Sequence, residues 1–407
     1  MGEWVERRWQ GNPSGQVKRE RESGVYRAWS PDLLSKLDKR LTKTTYDALV
    51  DANDSLRQAQ LSVRSHGFES LARLLLRSES LASSYIEGLT VGSRRLLSTE
   101  FDNDDRDHVA REILGNIEAV EGAVELASKT AVISKPDLLA VHVQLMSRSP
   151  SPDWGGVMRT SQNWVGGNPY NPFGADYVPP PPDDVSHLME DLTTYLNSEV
   201  DHPVMQAAIA HAQLETIHPF GDGNGRVGRA LIHMVLTRRG LATSPVVPIS
   251  LALSANVDRY VTGLVDFREG HLDEWFEYFA AATSWSADRM VRIGEDLSMR
   301  EQRWIAMAGN PRAHSTELKV IRDLGWHPIL NTVTVSDRFG VSNEAARKAL
   351  MGLEQAGILR QFTTRSRNRV WGAVEVFKLL DELQQEVHTP STVSSGSKSD
   401  DDSGMAL

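Results

Sequence analysis

Apolar residues recur every three or four positions over long stretches of this 407-residue chain, and that period allows little other than helices. Leu33, Leu34, Leu37 and Leu41 keep the spacing, with Pro31 where a helix commonly starts. The runs Phe68 to Ile86 and Ala110 to Ala127 repeat it. Pro and Gly are sparse through this third of the chain, which therefore reads as a helical bundle. Helices are expected again from about Asp184, over Val204 to Thr216 and over Arg226 to Arg238. Residues 1–29 are polar and are expected to be loosely ordered.

Between Trp154 and Pro182 the texture changes. Ser161 to Val165 reads as a short strand and Ala175 to Val178 as its return, separated by the turn-forming stretches Gly166 to Pro169 and Asn171 to Gly174. This predicts a hairpin with a long tip projecting from a helical body. Beyond Pro311 a helix over Thr332 to Phe339, a turn at Gly340-Val341 and a second helix to Gln355, capped by Ser342, are expected. A two-stranded wing carrying Arg360, Arg365, Arg367 and Arg369 follows, which makes a winged helix-turn-helix. The tail from Thr389 is rich in Ser, Asp and Gly and is expected to be disordered.

Composition removes whole classes of chemistry. With no cysteine, disulfide frameworks, zinc-thiolate sites and thiol catalysis are excluded. A net charge of -10 argues against a surface wholly given to nucleic acid, though a local basic face remains open. No stretch approaches the ~20 apolar residues of a membrane span. The start has no apolar core of a signal peptide, and Glu6 stands where a myristoylation signal needs Ser or Thr. A cytoplasmic location without membrane attachment is expected.

The string His218-Pro219-Phe220-Gly221-Asp222-Gly223-Asn224-Gly225-Arg226-Val227-Gly228-Arg229 lies between two of the predicted helices. Its glycines let the backbone turn tightly and approach a ligand. The helix that follows opens with free N–H groups and a dipole suited to an anion. Arg226 and Arg229, three apart, fit phosphate oxygens. Asp222 supplies one carboxylate, enough for magnesium held mostly by nucleotide and water. His218 titrates near neutrality and can take a proton from a hydroxyl. Base, metal ligand, anion cradle and cationic clamp in twelve residues are the parts of phosphoryl or nucleotidyl transfer.

The string resembles the signature of the Fic family, enzymes that AMPylate proteins, and matches every specified position. Arg159 to Gly167 and Tyr177 to Pro182 resemble that family's flap, and the likeness spans roughly residues 30–282. The resemblance implies a mainly α fold: a Fic-type helical bundle with a β-hairpin flap, here joined to the C-terminal winged helix-turn-helix. It implies His218 as general base, Asp222 as magnesium ligand, and Gly223, Asn224 and Gly225 as an anion hole. It also implies Arg226 and Arg229 as phosphate-binding arginines, Arg229 nearest the γ-phosphate, with Phe220 as the loop's apolar anchor. Gln162, Asn163, Trp164, Val165 and Gly166 would hold a target segment by strand addition. ATP and Mg2+ are the implied cofactors. A protein bearing a Ser, Thr or Tyr hydroxyl, this chain included, is the implied substrate. Because Gly225 is kept, AMP transfer is favoured over the phosphate transfer of the kinase-like branch.

A second motif, Ser83-Ser84-Tyr85-Ile86-Glu87-Gly88, ends a predicted helix. Ser83 and Glu87 share a face, and Gly88 suits a helix stop. It resembles the inhibitory motif of Fic proteins in which the inhibitory helix precedes the catalytic core. Glu87 would then hold Arg229 away from the γ-phosphate, and it could orient water for removing AMP. The expected organisation is a loosely ordered 1–29, a helical region with the inhibitory helix over 30–125, a catalytic core over 126–300, a winged-helix domain over 311–388 and a disordered 389–407. Arg347, Lys348 and the wing arginines offer a DNA contact, and a homodimer is compatible. Two other readings stay open: a transferase using another nucleotide donor, and a DNA-binding regulator whose Fic fold senses nucleotide.

Overall fold

The computed structural model describes residues 2–63, 68–102, 106–242, 246–362 and 369–388. Strand β1 (Gly2–Trp9), helix α1 (Lys18–Arg21) and strand β2 (Gly24–Pro31) form an N-terminal unit in which β1 and β2 pair antiparallel from Gly2–Pro31 to Trp9–Gly24. This corrects the expectation of a loosely ordered 1–29. Aromatic contacts hold the hairpin: Trp4 meets Trp29 edge-on at 5.2 Å, and Trp9 meets Trp164 at 5.4 Å. The Trp29 backbone N–H also donates to the Val178 carbonyl at 2.9 Å.

The helix expected over Leu33 to Leu41, with Pro31 at its start, is likewise corrected. Ser30 and Pro31 end β2, and only a 3-10 turn over Leu34–Lys36 follows. The Leu34 N–H is taken by the Asp191 carboxylate at 2.7 Å, a tertiary bond that competes with helix formation. The first long helix, α2, starts later, at Lys43.

The bundle is α2 (Lys43–Val63), α3 (Phe68–Ile86), α4 (Ser93–Asp102), α5 (His108–Lys129), α6 (Lys135–Met146), α7 (Pro182–Leu196), α8 (Pro203–Ile217), α9 (Asn224–Arg238), α10 (Ile249–Ser254), α11 (Val257–Glu269) and α12 (Leu272–Met307). Local chemistry sets several ends. The Asp107 side chain caps α5 by accepting from the Ala110 N–H, Asn256 caps α11 through Arg259, and Gly270 at φ 90° stops α11. α8 is buried on nearly every side and packs along α9, with α5 and α6 flanking α9 and α2 lying along α12. α3 sits between α5, α9 and α10, and its buried Ser78, Ser80, Ser83 and Ser84 are small enough to let those neighbours approach.

The hairpin expected over 161–178 is present in reduced form. One bridge, Val165 to Tyr177, joins its arms, and a second, Met158 to Phe220, ties it to the His218 loop. Beyond α12 come α13 (Thr316–Asp323), β3 (Ile329–Asn331), α14 (Thr332–Phe339), α15 (Asn343–Gln355), β4 (Arg360–Gln361), β5 (Val370–Gly372) and α16 (Val374–His388). The sheet has the antiparallel order β3-β5-β4. Gly340, at φ 63°, ends α14, and the Ser342 hydroxyl caps α15. Arg365 and Arg367, and the tail from Thr389, lie outside the described residues. α12 runs past residue 300 without a break, and α16 packs back on α3, α4 and α10. Buried Arg77 of α3 reaches the Trp326 carbonyl at 2.9 Å. Among the described residues no helix is long and apolar enough to cross a membrane.

Candidate active site

The loop between α8 and α9 is a closed turn built by its own residues. His218 ends α8 in the left-handed region at φ 50°, and Gly223 starts α9 at φ 81°. A histidine tolerates that conformation better than a β-branched residue would, and glycine takes it freely. The Asn224 side chain closes the turn on Phe220, accepting from its N–H at 2.8 Å and donating to its carbonyl at 2.9 Å. Phe220 is fully buried and stacks on His142 with ring centroids 3.8 Å apart. Truncating such a ring costs about 3–5 kcal/mol, so the loop is seated as part of the core. His142 fixes it further. Its Nδ1 accepts from the Gly156 N–H at 3.0 Å, and Nε2 lies 3.1 Å from the Asp222 carbonyl. That pattern needs the neutral ring with Nε2–H donating, and burial pushes the His142 pKa down to about 4.

α9 then presents an anion site that already holds a carboxylate. A Cβ on Gly225 would collide with Glu87 Oε1, so that oxygen rests against the first turn of α9. The same oxygen accepts from Arg229 Nη2 at 2.7 Å. Arg229 is 1% exposed and is pinned by Ser83 as well, donating from Nε to Oγ at 2.9 Å and from Nη2 to the carbonyl at 2.8 Å. Ser83 and Glu87 stand one turn apart and reach one guanidinium together. Burial acts to raise the Glu87 pKa, but the guanidiniums of Arg229 and Arg226 outweigh it, and the carboxyl ends below its ordinary value. Gly88, at φ 80°, turns the chain away after α3.

Arg226 is also buried, but loosely engaged. Its Nη2 is 3.4 Å from Asp222 Oδ1 and Nη1 is 3.5 Å from Glu112 Oε2, while Nε and Nη1 have no hydrogen-bond partner among the described residues. Buried guanidinium donors left open in this way suit an incoming oxyanion. Asp222 is half exposed, with Oδ1 accepting from the Gly223 N–H at 2.6 Å.

Arg159 joins this loop to the hairpin. Its guanidinium donates to the carbonyls of His218 at 2.8 Å, Pro180 at 2.6 Å and Ile217 at 3.3 Å. Across the hairpin, Gln162 donates to the Pro179 carbonyl at 2.9 Å and Asn163 to the Phe220 carbonyl at 2.9 Å. Trp164 donates to the Asn168 carbonyl, and the Val165 N–H donates to that of Tyr177 at 2.8 Å. Gly166 takes φ 73° beside Asp176.

Residues 132–236, which contain α6 to most of α9 and the whole of this loop, match the model of the Fic/DOC family, and residues 46–125 match that of the Fic/DOC family N-terminal region. The chain belongs to the Fic/DOC family. Among its relatives is the protein adenylyltransferase Fic of Aedes aegypti, 32% identical over 223 residues, which are 52% of this chain and 41% of that protein. The protein adenylyltransferase Fic of Drosophila willistoni is 30% identical over 291 residues, 69% of this chain and 52% of the relative. The chain thus matches about half the length of these relatives or less. The crystal structure of a Fic family protein from Desulfovibrio desulfuricans G20 shares the fold at TM-score 0.53 and 22% identity, covering 82% of this chain and 97% of that one.

Within this Fic domain the sequence-predicted residues Ser83, Glu87, Gly225 and Arg229 meet at one point, with Arg226 and Asp222 beside it. The Asn224 side chain is engaged in closing the loop on Phe220. Four more residues serve the site, and of these only Arg159 falls in a stretch that the sequence marks, the start of the flap-like segment. His142 and Arg159 hold the loop from outside, Tyr260 packs its hydroxyl 3.5 Å from Arg229 Nη1, and Glu215 lies buried below His218. Each is a single residue far from the glycine-rich string or on an ordinary helix face.

Proposed function

We propose that this chain transfers AMP from ATP to a Ser, Thr or Tyr hydroxyl of a protein, and that Glu87 restrains the reaction. The observation that carries the reading is the internal carboxylate on Arg229 and Gly225, at a helix start, in the position a nucleotide phosphate would take. Names of the relatives, protein adenylyltransferases, support the same chemistry. In the step, the target oxygen attacks the α-phosphorus, the bond to the β-phosphate oxygen breaks, pyrophosphate leaves, and His218 takes the hydroxyl proton. Arg226, Arg229 and the first N–H groups of α9 meet the charge that develops on the phosphates. The hairpin over 161–178 would align the target. Val165 uses its N–H within the hairpin, so strand addition falls to outward backbone groups beside it. With Glu87 in place, the same carboxylate would orient water for removing AMP. Incubating the Glu87→Gly variant with ATP, UTP or GTP labelled at the α-phosphate, or with CDP-choline labelled in its choline phosphate, tests the donor. Label transfer from ATP alone supports the reading; transfer from another donor, or from none, overturns it.

Magnesium fits the residues present. Among the described residues no three His, Cys, Asp or Glu side chains converge, while Asp222 offers one half-exposed carboxylate beside the phosphate site. A cation carried by one carboxylate, nucleotide oxygens and water has the coordination magnesium prefers, and it would neutralise phosphate charge. Asp222→Ala is expected to raise the magnesium concentration needed for half-maximal rate severalfold, with little change in the urea midpoint because the side chain is half in solvent. A magnesium dependence equal to that of the unaltered chain would remove Asp222 from this role.

The C-terminal unit we read as a winged helix that contacts nucleic acid. Its α14–turn–α15 pair is followed by antiparallel β4 and β5, and Arg347 and Lys348 are exposed on α15. Replacing Arg347, Lys348 and Arg369 by Ala is expected to weaken DNA binding and flatten its salt dependence. If the unaltered chain has no salt-sensitive affinity for DNA, the unit is a protein-contact module.

A further inference from the structure

A buried acid stands directly behind the proposed base, and the transfer step as written makes no use of it. Glu215 is on the last turn of α8, three residues before His218 and therefore on the same helix face. Its side chain is 11% exposed. Oε2 lies 3.9 Å from His218 Nδ1, and Oε1 is buried with no hydrogen-bond partner among the described residues. Nδ1 itself has a contact with the Glu215 backbone carbonyl at 3.3 Å, longer than a strong tether. α9 makes room for the carboxyl with a glycine, since a Cβ on Gly228 would lie 2.9 Å from Oε1. A buried carboxyl oxygen without a partner destabilises a fold, and groups kept in that condition concentrate at functional sites.

We propose that Glu215 is a positioning residue for His218: its carboxylate faces the Nδ1–H edge of the imidazole, leaves Nε2 as the accepting nitrogen, and stabilises the imidazolium that forms when His218 takes the target's proton. The inference rests on the reading of His218 as base. A base needs this help here. Burial pushes the His218 pKa down to about 4, with Arg159 and Arg268 acting in the same direction. Such a ring is neutral at pH 7 and ready to accept, but weak. Burial also pushes the Glu215 pKa up to about 7, with Arg229 and Arg268 opposing and Glu87 adding to the rise. His211 of α8 lies on the same side, close to Gly228, the Tyr260 hydroxyl of α11 and Arg229 of α9 face the same region, and Tyr177 of the hairpin, with Arg268 over its ring, feels the Glu215 charge as well. Glu215 therefore loses its proton near neutrality, and its charge then faces the imidazole. Once carboxylate and imidazolium face each other their titrations couple, and the steps then belong to the pair. The 3.9 Å separation is one that closes when a nucleophile and phosphate are in place, as loose catalytic contacts commonly do.

The test uses the full chain on the Glu87→Gly background with α-labelled ATP, comparing Glu87→Gly alone with Glu87→Gly/Glu215→Gln and Glu87→Gly/His218→Ala. Glutamine keeps the shape and removes the charge. The expected result is a kcat lowered by ~10-fold or more, an unchanged KM for ATP, and loss of the rise in rate across neutral pH. Activity surviving His218→Ala would sink the base reading itself. A silent His218→Ala with Glu215→Gln unchanged in kcat and pH profile would leave the base and overturn the positioning role. A kcat and KM that shift together, with a lowered unfolding midpoint, would make Glu215 a packing residue and also overturn it. One measurement needs no Glu215 variant. In protein labelled with nitrogen-15 histidine and assigned through His218→Ala, the His218 nitrogens should report Nδ1–H and show an inflection near neutral pH. A flat titration, or the opposite tautomer, overturns the proposal.

Discussion

Glu87→Gly is expected to raise AMP incorporation into this chain or a protein target by roughly 10- to 100-fold. A hydrogen bond to a charged group contributes about 1.5–3 kcal/mol, and each ~1.4 kcal/mol is a factor of ten. The lower end is the better guide, because Glu87 is 36% exposed and solvent screens part of the pair. The substitution removes the carboxylate that rests on Gly225 and takes the Arg229 Nη2 donor. It leaves α3 intact, since that helix ends at Ile86 and residue 87 lies in the turn beyond it. Arg229 then remains buried with Ser83 and Tyr260 as partners and without the Glu87 carboxylate, so the variant is expected to melt lower without nucleotide and to gain more from ATP than the unaltered chain. Mild acid does not mimic the change. The Glu87 pKa is held below its ordinary value, so the contact's contribution is full above the ordinary carboxylate range and is lost only as pH falls through the lowered one. Intact-mass spectrometry for added AMP, with melting curves with and without ATP, checks both halves. Equal modification of the variant and the unaltered chain would reduce Ser83 to Gly88 to a helix end.

How far such a site is readable from sequence depends on how it is encoded. The His218 to Arg229 string lies in one stretch, and each residue type there has a separate physical reason, so the loop, the helix start at Asn224 and the paired arginines are all legible. The pairing of Glu87 with Arg229 joins residues 142 positions apart, and the spacing of Ser83 and Glu87 alone predicts only a shared helix face. Resemblance supplies their partner. Arg159, His142 and Glu215 act through backbone carbonyls or a neighbouring ring, and contacts of that kind leave no pattern in the chain.

The fold divides in the same manner. The period of α3 marks its bounds at Phe68 and Ile86, and the caps of α14 and α15 mark theirs, because period and capping are local. Leu33 to Leu41 keep helical spacing yet form only a 3-10 turn over Leu34–Lys36, where Asp191, from α7, takes the Leu34 N–H. The hairpin over Gly2–Trp9 and Gly24–Pro31 escapes a sequence reading because β1 is exposed along most of both faces and shows no alternation. Its order comes from Trp9 on Trp164 and Trp29 on Val178, contacts made with a segment far along the chain.

Removing His218 is expected to abolish transfer without emptying the nucleotide site. Loss of general-base catalysis costs about 10²–10⁴-fold, and more where the residue also aligns the hydroxyl. The hydrogen bonds of His218 run elsewhere than Arg226 and Arg229; its N–H donates to the Leu214 carbonyl at 2.8 Å, and its carbonyl accepts from Arg159. Those backbone bonds survive any side chain, so ATP affinity should stay within a few-fold of the unaltered value by calorimetry. The backbone conformation decides which substitution is cleaner. At φ 50° an alanine is strained, whereas asparagine enters the left-handed region readily and has no basic nitrogen. His218→Asn should therefore keep the fold better than His218→Ala and be equally inactive. If strain at residue 218 were the cause of lost activity, asparagine would restore part of it. The double variants Glu87→Gly/His218→Asn and Glu87→Gly/His218→Ala should both be silent, because freeing Arg229 for phosphate does not supply a proton acceptor. Transfer by either double variant at a rate near that of Glu87→Gly alone would take the base role from His218 and return the search to the other groups facing the phosphate site.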